Sequence, residues 1–227
     1  MEFTAADVVT DARVLLNDTR SSSYRYSDDQ MLGFFNDAMR RLFMLRPDAF
    51  QVTIGHNPTP NNTQQTVPQD QVFLGINYIT LVDAGPEAHR AVREVSWDDF
   101  TNAQIRWVGG PAGIPNKYIK DRHNPRNYFL NPRPINGLFI SLFVGMSPSP
   151  ATSLNAEYTR PVRWFVPALV DCVVFLASSI DDEHVSSGRA KLFYDSFVNQ
   201  LGAGEQIVRR NSLEPIAGFR EIRNDAQ

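Results

Sequence analysis

Asp181, Asp182, Glu183 and His184 stand in a row, the densest run of metal-ligand side chains in the 227 residues of this chain. Carboxylates and imidazoles bind divalent cations when several converge on one point. Four consecutive positions at a helix end point in different directions, however, and no second cluster supports them. A solvated helix end is the expected reading. Asp171 lies inside the apolar run Trp164–Ala177, where burial could tune a carboxylate for acid–base work. A structural pairing with Arg163 or Arg189 is expected instead. Cys172, in the stretch VDCVVF, lacks the polar neighbours that turn a thiol into a thiolate and reads as a small core residue. His123, in DRHNPRN, reads as a turn residue. The chain has no G-x-S-x-G, phosphate-binding glycine loop, H-E-x-x-H or paired CxxC, patterns that bring nucleophiles, phosphates or metals together. The expectation is a chain with no catalytic residue, no metal site and no cofactor.

The elements that would have to position any chemistry are nevertheless well specified. Thr4, with Asp7 three residues on, has capping-box spacing, and Phe3 can staple onto Val8. Val8, Ala12, Leu15 and Leu16 then share a helical face. The second helix starts more clearly: Ser27 is the N-cap, Gln30 the third helical position, and Tyr26 and Met31 the two staple positions. Met31, Phe35, Ala38, Leu42 and Leu45 form a stripe at helical spacing, widened by Phe34 and Phe43. Pro47 should stop this helix at Arg46.

The composition sets the class. With 42% hydrophobic and 21% charged residues, the chain falls in the ordinary globular range. A net charge of -3 argues against a general nucleic-acid binder, which needs a basic excess. One cysteine excludes an internal disulfide or a cysteine-rich zinc site. Met1 leads directly into EFTAADVV without an apolar signal core, and the run Trp164–Ala177 is too short to span a bilayer. A soluble protein made in a reducing cytoplasm, away from membranes, is expected.

The middle of the chain reads differently. GHNPTPNNTQQTVPQDQ, residues 55–71, is polar without periodicity and reads as a long exposed loop. VFLGINYITLV reads as a strand or a strand pair, with Gly75 as the candidate bulge. Ser96 is placed to cap a short helix carrying Trp97 and Phe100. NYFLNPRPINGLFISLFVG reads as a hairpin, Tyr128–Leu130 and Leu138–Val144, closed by Asn136-Gly137. A helix follows from Pro167 to about Ile180, apolar over most of its circumference and so expected at the centre of the helices. A last helix, Ser187–Leu201, carries Ala190, Phe193, Tyr194, Phe197 and Leu201 on one face and should end at Gly202. The predicted fold is α+β: an antiparallel helical bundle built from helix pairs 1–50 and 161–204, a β-rich insertion over 51–160, and an extended tail over 205–227.

These stretches resemble a known family. Tyr26-Ser27-Asp28, Met31-Leu32, Phe34-Phe35-Asn36-Asp37-Ala38 and Arg46-Pro47-Asp48-Ala49 are similar to the second helix of bacteriophage head-to-tail adaptor proteins. Tyr26 stands where Trp is more usual, and Gln30 where an acidic residue is. PNKYIKDRHNPRNYFLNPRPINGLFISLFVGMSP resembles that family's strand, Asn-Pro-Arg turn, hairpin and Ser-Pro. ALVDCVVFLASSIDDEH with RAKLFYDSFVNQLG resembles its paired C-terminal helices. The similarity covers most of residues 5–202, leaving out the polar loop and the tail after Gly204.

The resemblance implies a structural virion protein forming a ring of copies of itself, in this family usually twelve, beneath the portal protein. Its partners would be the portal ring, the tail nozzle or tube, a tail fibre or spike, and double-stranded DNA passing through without sequence recognition. On that reading the tail docks on the portal, or second on an adjacent copy, through Ile207, Leu213, Phe219 and Ile222. Arg209, Arg210, Arg220 and Arg223 lie between them to meet carboxylates. Asn57, Asn61, Gln64 and Gln65 of the polar loop would form a subunit or tail interface. Two other readings stand beside it: a head-completion or tail-terminating ring of a long-tailed phage, and a small hydrolase. The hydrolase would need a closed pocket joining His123 or His184 to a carboxylate.

Overall fold

A computed structural model describes residues 2–81, 89–97, 110–180 and 187–213. The described chain is α+β with four helices. Strand β1 (Phe3–Thr4) leads into α1 (Ala5–Leu16). The expected capping box is formed: Asp7 N–H donates to Thr4 Oγ1 at 3.1 Å, and Thr4 N–H donates to the Asp7 carboxylate at 2.8 Å. Helix α2 (Asp28–Leu45) begins with the same reciprocal pair between Ser27 and Gln30 and is capped by Arg46, the residue before proline. Each cap satisfies amide groups that an isolated helix leaves without partners.

The link between α1 and α2 is held from beneath by a residue that the sequence reading passed over. Arg13, only 6% exposed, reaches Asp18 at 2.5 Å, Asp28 at 2.8 Å and the Tyr26 carbonyl at 2.9 Å. Its guanidinium also lies 3.7 Å from the centre of the Tyr24 ring. Asp18, itself buried, accepts from the Arg25 and Tyr26 amides. The turn 17–27 is therefore organised around one internal ion pair.

Ten strands follow. They are β2 (Gln51–His56), β3 (Gln64–Thr66), β4 (Gln71–Leu81), β5 (Arg93–Glu94), β6 (Ala112–Gly113), β7 (Lys117–Lys120), β8 (Asn127–Asn131), β9 (Arg133–Pro134), β10 (Leu138–Met146) and β11 (Glu157–Tyr158). Strand β10 lies between β2 and β4, antiparallel to both. A second sheet has the order β3-β8-β7-β5, β6 pairs with β9, and β1 pairs with β11. Phe73 stacks on Tyr128 at 4.2 Å within the apolar core of the strands.

Three expectations for this region are corrected. The stretch read as a hairpin is a crossover, because β8 pairs with β3 and β7 while β10 pairs with β2 and β4. Pro132 and Pro134 have no N–H to donate and end the β8 ladder; Gly137, at φ 74°, then turns the chain into β10. The polar loop is not all loop, since residues 55–56 belong to β2 and residues 64–66 form β3. The single bulge at Gly75 is two irregularities, at Leu74 and Asn77, while Gly75 itself pairs with Phe143. The helix expected after Ser96 lies outside the described residues beyond Trp97.

The remaining helices are α3 (Val166–Ile180) and α4 (Ser187–Leu213). Helix α3 touches α1, α2 and α4, which matches its nearly all-round apolar surface. By length and composition alone the window Arg163–Ile180, of mean hydropathy 1.6, could cross a membrane, yet 56% of it is buried inside the protein. It is the core helix. Met31, Phe35, Leu42, Leu169, Val173 and Phe197 share its apolar cluster. The expected end of the last helix at Gly202 is wrong: α4 continues to Leu213. Residues 205–213 are helical rather than extended, because glycines such as Gly202 and Gly204 weaken a helix without forbidding it.

Close contacts tie α2 and the turn after it to β10 and to the loop that follows β10. The Asn36 side chain donates to the Ala151 carbonyl at 3.0 Å and accepts from its amide at 2.7 Å, as a neighbouring strand would. Pro47 lies against β10 so closely that a Cβ added at Gly145 would come within 2.6 Å of the Pro47 carbonyl. Only glycine admits that approach.

Candidate functional site

The side chains weighed for chemistry are engaged in structure or lie apart. Asp171 Oδ2 accepts from Ser196 Oγ at 2.5 Å and Gln200 Nε2 at 2.6 Å, so its partners are two residues one turn apart on α4. Neither of the expected arginines reaches it. Arg189 instead donates to the Leu15 carbonyl at 2.5 Å, and Arg163 lies near Asp7. Cys172 is fully buried, and burial pushes its thiol up to about 12, far from the range of a nucleophilic thiolate. His123 is exposed, and its backbone N–H donates to Asp121 Oδ1 at 2.9 Å. Asp181–His184 lie outside the described residues. No group of three or more His, Cys, Asp or Glu suited to a metal occurs among the described residues.

Two histidines escaped the sequence reading, His56 and His89, the latter with its ring 4.0 Å from that of Tyr78. His56 is half-buried beside Tyr128, ring centres 6.2 Å apart, and burial lowers its imidazole below the ordinary value. Its Nε2 and the Tyr128 hydroxyl are buried without a hydrogen-bond partner. An isolated glycine-flanked histidine in a polar stretch gave no periodic signal of burial.

Exposed features of the described chain include the polar loop and a groove on the helices. In the polar loop, Asn57, Asn61 and Gln64 are exposed. Asn61 holds the left-handed φ of 58° while its amide donates to the Pro134 carbonyl at 2.8 Å. Gln65 does not belong with them. It is 2% exposed, and its amide accepts from Thr59 N–H at 2.7 Å and donates to the Thr59 and Asn62 carbonyls. The amide replaces missing backbone partners and shapes the loop from inside, so Gln65 is corrected from an interface residue to a structural one.

The second surface is a groove between α1 and α3, lined by Val14, Leu15, Val166 and Pro167 with the carboxylates of Asp11 and Asp171. It continues toward Phe3, Asp7 and Arg163. The Thr4 amide holds the Asp7 carboxyl below its ordinary value. Neither part of the groove includes a histidine. Beside it stand Val162 and Trp164, the latter 67% exposed. The remaining expected residues belong to the C-terminal segment. Ile207, Arg209, Arg210 and Leu213 lie on the helical backbone of α4, while Phe219, Arg220, Ile222 and Arg223 fall outside the described residues.

The described chain thus carries polar loop tips, an apolar groove and a long last helix on a body tied internally at Arg13 and Asn36. A family model matching residues 3–217 places the chain among the bacteriophage head-to-tail adaptors, structural components of the virion that contact other head and tail proteins. The family is described as SU10 adaptor protein, and the chain belongs to it. The match runs through the polar loop and past the end of α4, beyond the stretch 5–202 over which the resemblance was read. No curated protein matches the chain.

Proposed function

We propose that the chain assembles as a ring, of twelve copies, beneath the portal of a phage capsid. The ring joins the portal to the tail nozzle, carries a fibre or spike at its side, and surrounds the DNA on its way out. The observation that carries this reading is the family match over residues 3–217. The internal ties at Arg13, Asn36 and Arg46 support it, because a ring subunit must transmit load between neighbours without changing shape. The body is then an antiparallel bundle made by the helix pairs 1–50 and 161–204, with 51–160 inserted between them. Asn57, Asn61 and Gln64 meet a neighbouring copy or the tail. The segment carrying Ile207, Arg209, Arg210, Leu213, Phe219, Arg220, Ile222 and Arg223 docks on the portal, or second on an adjacent copy. The subunit has no catalytic step, cofactor or metal in this role, and the ring lining presents no continuous basic belt to the passing DNA.

Cross-linking of intact particles, read by mass spectrometry, tests the placement. Cross-links to portal and nozzle are expected; cross-links to tail-tube proteins alone would replace this reading with that of a tail-terminating ring. A chain ending at Leu213 should keep the thermal stability of the isolated subunit and lose attachment to filled heads. Attachment at full occupancy would overturn the docking role of residues 214–227.

A further inference from the structure

Helix α4 runs through a place where its sequence favours an end. Gly202 and Gly204 lie in its interior, and glycine follows helix ends more often than any other residue, in the left-handed conformation. Packing does not require glycine at 202: a Cβ there would meet nothing within 4 Å, and its φ lies outside the positive range. Leu201 is 5% exposed within the helical core, while Gly202 beside it is exposed.

A cap for a shorter helix is already in place. Arg46 Nη1 donates to the Leu201 carbonyl at 2.6 Å. Asp48 fixes the guanidinium through Nε at 2.9 Å and Nη2 at 2.7 Å, and Phe165 lies against it with 5.7 Å to the ring centre. In an unbroken helix the Leu201 carbonyl accepts from the amide of residue 205, and its second lone pair can take Arg46 as well. In a helix that stops at Leu201, the same carbonyl is one of the orphans of the last turn, and Arg46 is its charged partner. Arg46 therefore stabilises the stopped form more than the continuous one. The two glycines act in the same direction, each weakening the continuous form about fivefold relative to alanine.

The geometry points to a two-state arm: α4 either continues through Leu213 or stops at Leu201 under the Arg46 cap, releasing residues 203–213 to take a new direction. In the continuous state the arm carries Leu213 about 18 Å beyond Leu201. In an adaptor, the second state would let the terminal segment leave its own helices for a neighbour. The inference itself stands on Arg46, Gly202 and Gly204, whatever the neighbour.

Hydrogen–deuterium exchange on the full-length isolated chain tests it. Amides 205–213 should exchange as one unit, with protection stepping up at Gly202 toward residues 190–200. Gly202→Ala with Gly204→Ala should slow exchange of 205–213 by about 25-fold, from the fivefold expected of each glycine. Arg46→Met should also slow it by weakening the stopped form, while Gly188→Ala, in the first turn of the same helix, should leave it unchanged. Thermal unfolding checks that each variant is folded; the alanine pair decides alone if Arg46→Met is not. Protection that declines gradually from Leu201 to Leu213 is ordinary fraying and would overturn the inference. So would an unchanged rate in the alanine pair. The measurement needs no portal, so its failure and that of the ring assignment are separable.

Discussion

Replacing Arg13 with methionine removes the guanidinium but keeps an unbranched apolar stem of similar reach. Two carboxylates lose a partner unequally. The Asp28 side chain is 59% exposed and returns to water, so its share is about 0–1 kcal/mol. The Asp18 side chain is 4% exposed and cannot. Breaking one side of a buried pair costs about 3–5 kcal/mol, because the remaining charge has no compensation. The Tyr26 carbonyl loses its donor as well. For a chain of this size such a loss lowers the melting temperature by roughly 6–20 °C. The assay is urea unfolding followed by circular dichroism, comparing midpoints at constant slope. Asp18→Asn on top of Arg13→Met should recover part of the loss, since the neutral side chain carries no uncompensated charge and its one oxygen can still accept from the Arg25 amide, giving up the longer bond from Tyr26. A single-variant loss below about 1 kcal/mol would refute the internal ion pair as the organiser of the turn. Additive losses in the double variant would do the same.

Gly145→Val should destabilise the protein more than Gly188→Val, because only at 145 does a Cβ meet a backbone carbonyl, 2.6 Å away; paired melting curves check this, and equal losses would refute it. His56 should make the protein acid-sensitive. Its folded-state pKa lies below the unfolded value of about 6.5, so the unfolded chain takes up the proton first as pH falls. Stability should decline as pH drops through about 6.5 and level off below the folded-state pKa. His56→Phe should flatten that part of a stability-versus-pH profile, and an unchanged slope would refute the assignment.

What could be read without coordinates was what is local. Both capping boxes were legible because a cap is a contract between residues three apart, satisfied before any tertiary packing. The α3 core position was legible because no polar face was available to turn outward. The partners of Asp171 were not, since Ser196 and Gln200 reach it only through the register of two helices more than twenty residues apart, and charge alone favoured an arginine. Gln65 was misplaced for a related reason: polar composition indicates that a side chain needs hydrogen bonds, not whether water or its own loop supplies them. The crossover between β8 and β10 was written in Pro132 and Pro134, but alternating apolar residues on both sides outweighed them.

Gly202 shows the other kind of failure. Glycine at 202 favours a helix end, and the helix nevertheless continues. Arg46 bears on the conflict, because its guanidinium donates to the Leu201 carbonyl, the place where a helix stopping at 201 would need a partner. Local preference and observed conformation disagree where both forms have a stabilising partner. On the two-state arm proposed above, a disagreement of that kind marks a part of α4 that is able to change, on a body tied elsewhere at Arg13 and Asn36.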